Sequence, residues 1–255
     1  MTRLIKRARH ERILAELRAN PTLRVARLAR DFGVSTETIR RDLDELSSEG
    51  RVDRTYGGAA RPSAAFEATV SERLKERVAE RERIGKRAAA NIRAGEMLMI
   101  DGGSTTVHFA RRLAAECENL VVMTNSLAVA TALARNPSLR VVLCPGDYDP
   151  HEGIVTGPET LEFLSRFAAD RAVIGAGGLT REGPSEVLPG AAWVKRRMLE
   201  RARRGILLLD ATKLGVRRHE RVCPLAALDD LYTDRSPSRE LAQALHRAKV
   251  TVHVA

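Results

Sequence analysis

Cysteine is scarce in this chain: Cys117, Cys144 and Cys223 are odd in number and far apart. They suggest neither a disulfide framework nor a zinc-ligand pair, and are expected to be buried thiols. No apolar run approaches the length of a membrane span. The N-terminal stretch Met1-Thr2-Arg3-Leu4-Ile5-Lys6-Arg7 is basic but has no apolar core followed by a cleavage signal, so a cytoplasmic protein without membrane contact is expected. Repeats and low-complexity tracts are also missing, which excludes a solenoid or a disordered tail. Lysine is rare, at 6 of the 43 basic residues, so each lysine carries more information than usual.

What is present is ordinary globular material, with 44% apolar and 30% charged residues over 255 positions, room for a small domain and one with a sizeable core. The net charge is +10, and it is densest early: residues 1–60 hold 13 basic against 9 acidic residues, and 61–100 hold 9 against 6. That distribution invites a polyanionic partner at the N-terminal end.

The stretch 35–43 reads as a helix with a narrow apolar face. Ser35 is a favoured N-cap, Val34 and Ile39 form a hydrophobic staple, and Ile39, Leu43 and Leu46 recur at helical spacing. Glu37, Arg40, Arg41 and Asp44 then fall on the opposite side, flanked by Thr36 and Thr38, where a recognition helix meets DNA. Before it, Val25, Leu28, Ala29 and Phe32 mark a short helix ended by Gly33, and Ile13, Leu14 and Leu17 mark an earlier one ended by Asn20-Pro21. Residues 51–60 supply an extended ribbon carrying Arg54 and turning at Gly57-Gly58. The whole is a winged helix-turn-helix over 1–60; a plain helical bundle with a solvated arginine pair is the alternative.

Phe32-Gly33-Val34-Ser35, Thr38-Ile39-Arg40-Arg41-Asp42-Leu43, Gly50 and Tyr56-Gly57-Gly58-Ala59 together resemble the DeoR-type bacterial repressors. The resemblance implies a DNA-reading N-terminal domain, with Ser35, Thr36, Glu37, Thr38, Arg40, Arg41 and Arg54 as its DNA-facing residues. It also implies a following α/β effector domain that resembles ribose-5-phosphate isomerase in fold and senses a phosphorylated sugar.

The remainder of the chain supports such a domain on its own pattern. A linker over 61–74 and a charged helical stretch over 71–93 lead into short apolar runs at 97–100, 120–123, 141–143, 172–174, 206–209 and 250–254. Helical patterns after Thr105, Ser126, Pro158, Pro189 and Pro237 alternate with them. Buried parallel strands with crossover helices are the expected result, an α/β sheet over 75–255.

In such a sheet ligands bind outside the carboxyl ends of the strands. Asp101-Gly102-Gly103-Ser104-Thr105-Thr106 follows the first run and opens a helix, offering amides and hydroxyls to an anion; a simple strand-to-helix connection is the competing account. Thr124-Asn125-Ser126 follows the second run, either as a cap or as a second wall. Asp210 and Lys213 follow the fifth, and Lys213 and Lys195 suit a phosphate as compact charges. These loops are similar to the family's sugar-phosphate site, as are Gly175-Ala176-Gly177-Gly178 and the 194–198 stretch with theirs. The chain departs from many members at Ala191, where an acidic residue is common, and at Pro145-Gly146 in place of a glycine pair. The acidic loop 147–152 has a carboxylate-histidine look, but a solvated loop is the better account of it than a metal site.

The function expected is that of a transcriptional repressor of carbohydrate genes. It would bind a double-stranded operator as a dimer or tetramer and be relieved by a phosphorylated sugar, without cofactor, metal or catalytic residue. The alternative is a sugar-phosphate isomerase using Asp101, Glu186, Asp210 or Lys213 as acid-base groups.

Overall fold

A computed structural model describes residues 6–20, 22–48, 51–55, 57–60 and 69–255. Pro21, Gly50, Tyr56 and residues 61–68 of the expected linker lie outside the described residues. The chain divides into two compact units, Met1–Ala68 and Thr69–Ala255. No helix among the described residues is long and apolar enough to cross a membrane.

The first unit contains α1 (Lys6–Ala19), β1 (Thr22–Arg24), α2 (Val25–Phe32), α3 (Thr36–Ser48), β2 (Asp53–Thr55) and β3 (Gly58–Ala60). The strands pair antiparallel in the order β1-β3-β2, which makes the ribbon a wing beside three helices. Gly33 ends α2 at φ 64°, a left-handed conformation glycine adopts without steric cost, and Val34 donates its amide back to the Ala29 carbonyl at 3.1 Å. The core gathers the residues that the helical spacing selects, Ile13, Leu17, Val25, Leu28, Ala29, Phe32, Ile39, Leu43 and Leu46, and adds Leu23, Val52 and Ala59 from the wing.

The second unit opens with α4 (Val70–Arg73) and α5 (Val78–Ala89), then β4 (Met97–Ile100), α6 (Ser104–Glu116), β5 (Val121–Thr124), α7 (Leu127–Leu133) and β6 (Arg140–Leu143). A hairpin of β7 (Asp147–Asp149) and β8 (Ile154–Thr156) precedes α8 (Pro158–Ser165), β9 (Ala169–Ile174), β10 (Gly178–Thr180) and β11 (Gly183–Glu186). The chain ends with α9 (Pro189–Glu200), β12 (Ala202–Leu208), β13 (Glu220–Arg221), β14 (Asp230–Thr233), α10 (Arg239–Arg247) and β15 (Thr251–Val254).

The central sheet is wholly parallel in the order β15-β14-β12-β9-β4-β5-β6. Strand alternation assigns its two faces. Leu98, Ile100, Val122, Ile206 and Leu208 pack against α5, α6 and α7, whereas Met99, Met123, Ala172 and Leu207 pack toward α8, α9 and α10. β10, β11 and β13 form a small antiparallel sheet of their own.

One expectation is corrected here. The charged stretch 71–93 is not one helix, because the backbone turns at Arg77, whose φ is 50°. Thr69 and Glu72 cap α4 reciprocally, and α5 starts afresh at Val78, which is itself exposed rather than packed. Cys144 and Cys223 are buried, which pushes both thiols up to about 12, while Cys117 is half-buried.

Candidate functional site

The candidate nucleic-acid face of the first unit lies on α3. Ser35 accepts the Thr38 amide at 3.1 Å, so it caps the helix, and Thr38 sits half-buried with its hydroxyl 2.8 Å from Ser35 Oγ. Thr36, Glu37, Arg40 and Arg41 are exposed together on the side away from the core. Glu37 lies 3.6 Å from Arg40 and 3.5 Å from Arg41, solvated pairs of the kind that contribute about 0–1 kcal/mol and yield readily to a phosphate. Arg54, on the wing, is held by Asp44 at 3.0 Å and donates to the Gly58 carbonyl at 3.2 Å.

Asp42 contributes something the sequence reading missed. Its buried carboxylate accepts Arg9 Nη2 at 2.8 Å and lies 3.1 Å from His10 Nε2, tying α1 to α3. Burial would raise its pKa, but the bonds from Arg9 and His10 hold it below the usual carboxylate range. The signal was its position three places after Ile39, on the inward face of the helix.

In the second unit the expected loops converge at the carboxyl ends of β4, β5, β9 and β12. A Cβ on Gly102 would stand 2.2 Å from Ile154 Cγ2 and 3.2 Å from Ser126 Cβ. Glycine is therefore what lets the 101–106 turn, the 124–126 turn and the β7–β8 hairpin close on one another. Gly175 approaches Thr106, and Lys213 Nζ donates to the Ala176 carbonyl at 3.1 Å. Gly103 precedes α6 without a side-chain cap, so the first turn at Ser104, Thr105 and Thr106 points its amides at the crevice. Ser104, Thr105 and Thr106 are buried, as are Thr124, Asn125 and Ser126. Thr106 donates its hydroxyl to the Gly103 carbonyl at 2.9 Å, Thr124 Oγ1 accepts the Ser126 amide at 3.1 Å, and Ser126 caps α7.

Asp101 is fully buried, and one of its oxygens bonds Lys195 and accepts the Gly175 amide at 3.4 Å. Lys195 also pairs with Glu186 at 3.2 Å. Burial pushes the Asp101 carboxyl up to about 6, although Lys195 pulls the other way. Burial alone would depress Lys195, but Asp101 and Glu186 keep it charged and raise its pKa. The ammonium expected to meet phosphate is thus consumed inside the protein.

Asp210 is equally buried and equally engaged. Arg81 donates to it at 3.1 and 3.3 Å, Arg77 lies 3.6 Å away, and Thr212 gives both its amide at 3.2 Å and its hydroxyl. Burial opposes its ionisation, yet Thr212, Arg81 and Lys213 hold its pKa below the usual value. Arg77 reaches on to Asp234 at 3.1 Å.

The hairpin that roofs the crevice is tied twice. Val155 donates its amide to the Asn125 carbonyl at 2.6 Å, and Asn125 Nδ2 donates to the Val155 carbonyl at 3.1 Å. From outside, Arg73 makes a two-bond pair with Glu152 at 2.6 and 3.1 Å, and Val70 donates its amide to the His151 carbonyl at 3.1 Å. Two of the acidic residues of 147–152 thus have structural partners: Glu152 pairs with Arg73, and Asp149 accepts the amides of His151 and Glu152 at 2.8 and 3.1 Å.

Known proteins give the same division. Residues 9–65 match the model of a DeoR-like helix-turn-helix domain, and residues 76–235 that of a DeoR C terminal sensor domain. The glycerol-3-phosphate regulon repressor of Escherichia coli (strain K12) is 32% identical over 238 residues, covering 93% of this chain and 94% of that protein. The HTH-type transcriptional repressor GlcR of Bacillus subtilis (strain 168) is 32% identical over 223 residues, covering 87% and 85%. Among solved structures, ribose 5-phosphate isomerase A from Methanocaldococcus jannaschii aligns at a TM-score of 0.39 and 17% identity, over 56% of this chain and 55% of that one.

Proposed function

The chain belongs to the DeoR family of transcriptional regulators, and from that premise we propose that it represses carbohydrate-metabolism genes and is released from its operator by a phosphorylated sugar. The observation that carries the DNA half is the exposed face of α3. Arg40 and Arg41 stand there beside Thr36, held among the described residues by solvated contacts to Glu37, so a base edge or phosphate can take both guanidiniums. Thr38 and Ser35 shape the first turn, and Arg54 steadies the wing.

The effector half rests on the buried, loop-built crevice. Gly102, Gly103, Ser104, Thr105 and Thr106 offer phosphate a helix N-terminus, Lys213 supplies charge, and Asp101 and Asn125 face the sugar hydroxyls. Asp210 is reassigned to holding Arg77 and Arg81 in place. The signal leaves through 69–81, the segment that follows the DNA-reading unit in the chain and that grips the hairpin through Arg73 and Glu152. The protein works as a dimer or tetramer, because one winged helix covers too little DNA for tight specific binding; light scattering with operator present tests this.

The deciding experiment is an operator titration of parent and the Arg40→Ala, Arg41→Ala double variant, on DNA selected from the host genome by the parent protein. Each arginine that reads a guanine should cost about 1–3 kcal/mol and relax preference at one position. Unchanged binding removes the proposal. The isomerase reading keeps one favourable feature, a fully buried carboxyl at the end of β4, Asp101, whose pKa burial raises. Turnover of pentose or hexose phosphates by the purified protein would establish it.

A further inference from the structure

The register of the central sheet places two unsatisfied acceptors side by side. Ile100 lies opposite Thr124 in the parallel β4–β5 pair, so Asp101 and Asn125 stand one residue beyond neighbouring strand ends. Both project to the same face as Met99 and Met123, with backbones about 5 Å apart. Both residues are 0% exposed. Among the described residues, Asp101 Oδ1 and Asn125 Oδ1 receive no hydrogen bond, although buried polar atoms are nearly always paired.

The orientation of each group follows from its neighbours. The Val155 carbonyl takes Asn125 Nδ2 at 3.1 Å, and turning the amide over would set oxygen against oxygen. Lys195 and the Gly175 amide both take Asp101 Oδ2, leaving Oδ1 buried without a donor among the described residues. Lys195 is the nearest cation, and it is spent on Asp101 and Glu186. The crevice therefore presents lone pairs on this side and helix amides with Lys213 on the other.

We propose that Asp101 Oδ1 and Asn125 Oδ1 make this crevice select an open-chain polyol phosphate over the ketose or aldose phosphate of the same carbon skeleton. This rests on the sugar-phosphate reading above and sharpens it. A hydroxyl donates a hydrogen to either oxygen, whereas an open-chain carbonyl at the same carbon brings only lone pairs and leaves the acceptor that it faces buried without a partner. Sites built to hydrogen-bond a hydroxyl reject analogues lacking it far more strongly than apolar pockets reject a missing methylene. The discrimination is set by these two residues and not by the phosphate, which is common to both ligands.

The test uses full-length protein and three matched pairs whose carbonyl members stay open-chain: glycerol 3-phosphate with dihydroxyacetone phosphate, erythritol 4-phosphate with erythrulose 4-phosphate, and xylitol 5-phosphate with xylulose 5-phosphate. Calorimetric affinity and melting temperature are read for each, with inorganic phosphate alongside. The polyol member of at least one pair should bind about tenfold or more tightly than its carbonyl partner. In Asp101→Asn, Lys195 takes the amide oxygen and the NH2 stands where Oδ1 stood, so a donor replaces an acceptor and the polyol preference should shrink or reverse. Equal affinities within every pair that binds would overturn the inference while leaving the sugar-phosphate reading intact. Binding of none of the six overturns both. An unchanged preference in folded Asp101→Asn overturns the role given to Asp101.

Discussion

At the scale of single residues, Asp101 shows how burial and pairing divide one carboxylate between structure and recognition. Its raised pKa has a measurable consequence with a definite sign. The folded state holds the proton up to about pH 6, whereas an unfolded aspartate releases it near 3.8. The group therefore adds stability as pH falls through 6, the reverse of an ordinary ion-paired aspartate. Asp210 does not move in that window, because its depressed pKa makes its contribution present above 3.8 and lost only below it. Lys195, raised above 10.5, is fully charged throughout. Between pH 7 and 5 the unfolding free energy of the parent should gain about 1 kcal/mol relative to Asp101→Asn, read by urea titration of both proteins. A constant gap would discard the assignment. Asp101 and Asn125 were legible in the sequence as polar residues at strand ends, and Lys195 as a rare lysine in the helical stretch 194–198. Their partners were not, because Asp101 and Lys195 are brought together only by α9 packing beneath β4, and nothing local in either stretch records that.

Among the elements, the strands written as apolar runs were legible and those written otherwise were not. β4, β5, β6, β9, β12 and β15 each carry such a run, and prolines or capping residues mark the helices that follow. β14 has only Leu231 and Tyr232 between acidic and polar neighbours, yet all four of its residues are buried. The hairpin strand β7 was hidden for the same reason, since it reads Asp147-Tyr148-Asp149 and Asp149 accepts the turn amides of His151 and Glu152. The break between α4 and α5 did leave a trace. Leu74 and Val78 are four apart, as are Ile84, Ala88 and Ile92, but the step from Val78 to Ile84 slips the helical phase. Arg81 makes that break stable. Its guanidinium donates to the Glu76 carbonyl at 2.7 Å and to the Arg73 carbonyl, capping the turn while pairing with Asp210. Arg81→Ala should cost about 3–5 kcal/mol by denaturant unfolding, because Asp210 would be left buried with a diminished partner set. Arg81→Lys should recover little of it, since one ammonium cannot span carbonyls and carboxylate as the planar fork does. A loss below about 1 kcal/mol in Arg81→Ala would mean that water or Arg77 replaces it.

For the whole molecule, sensing is a coupling free energy between two sites, and thermodynamic linkage makes it reciprocal. The crevice is closed in this structure by a hairpin whose inner side bonds Asn125 and whose outer side bonds Arg73. A ligand admitted beneath the hairpin must displace or re-seat it, and Glu152 moves with it. Arg73 then follows or lets go, and in either event residues 69–77 change their hold on the sensing unit just where the chain comes from the DNA-reading unit. The Arg73→Ala, Glu152→Ala double variant removes the grip while sparing Gly102, Ser104, Thr105 and Lys213, so the polyol phosphate should still bind. In the parent, saturating ligand should weaken operator binding by about 5- to 150-fold, and operator should weaken ligand binding by the same factor. In the double variant both factors should fall toward one together. Operator titrations with and without glycerol 3-phosphate or xylitol 5-phosphate, and calorimetry of the ligand with and without operator, read the two halves independently. A double variant that keeps the parent's coupling factor would place the signal elsewhere than in 69–81. One that loses ligand binding altogether would show that the hairpin is part of the ligand's own cage and not a relay.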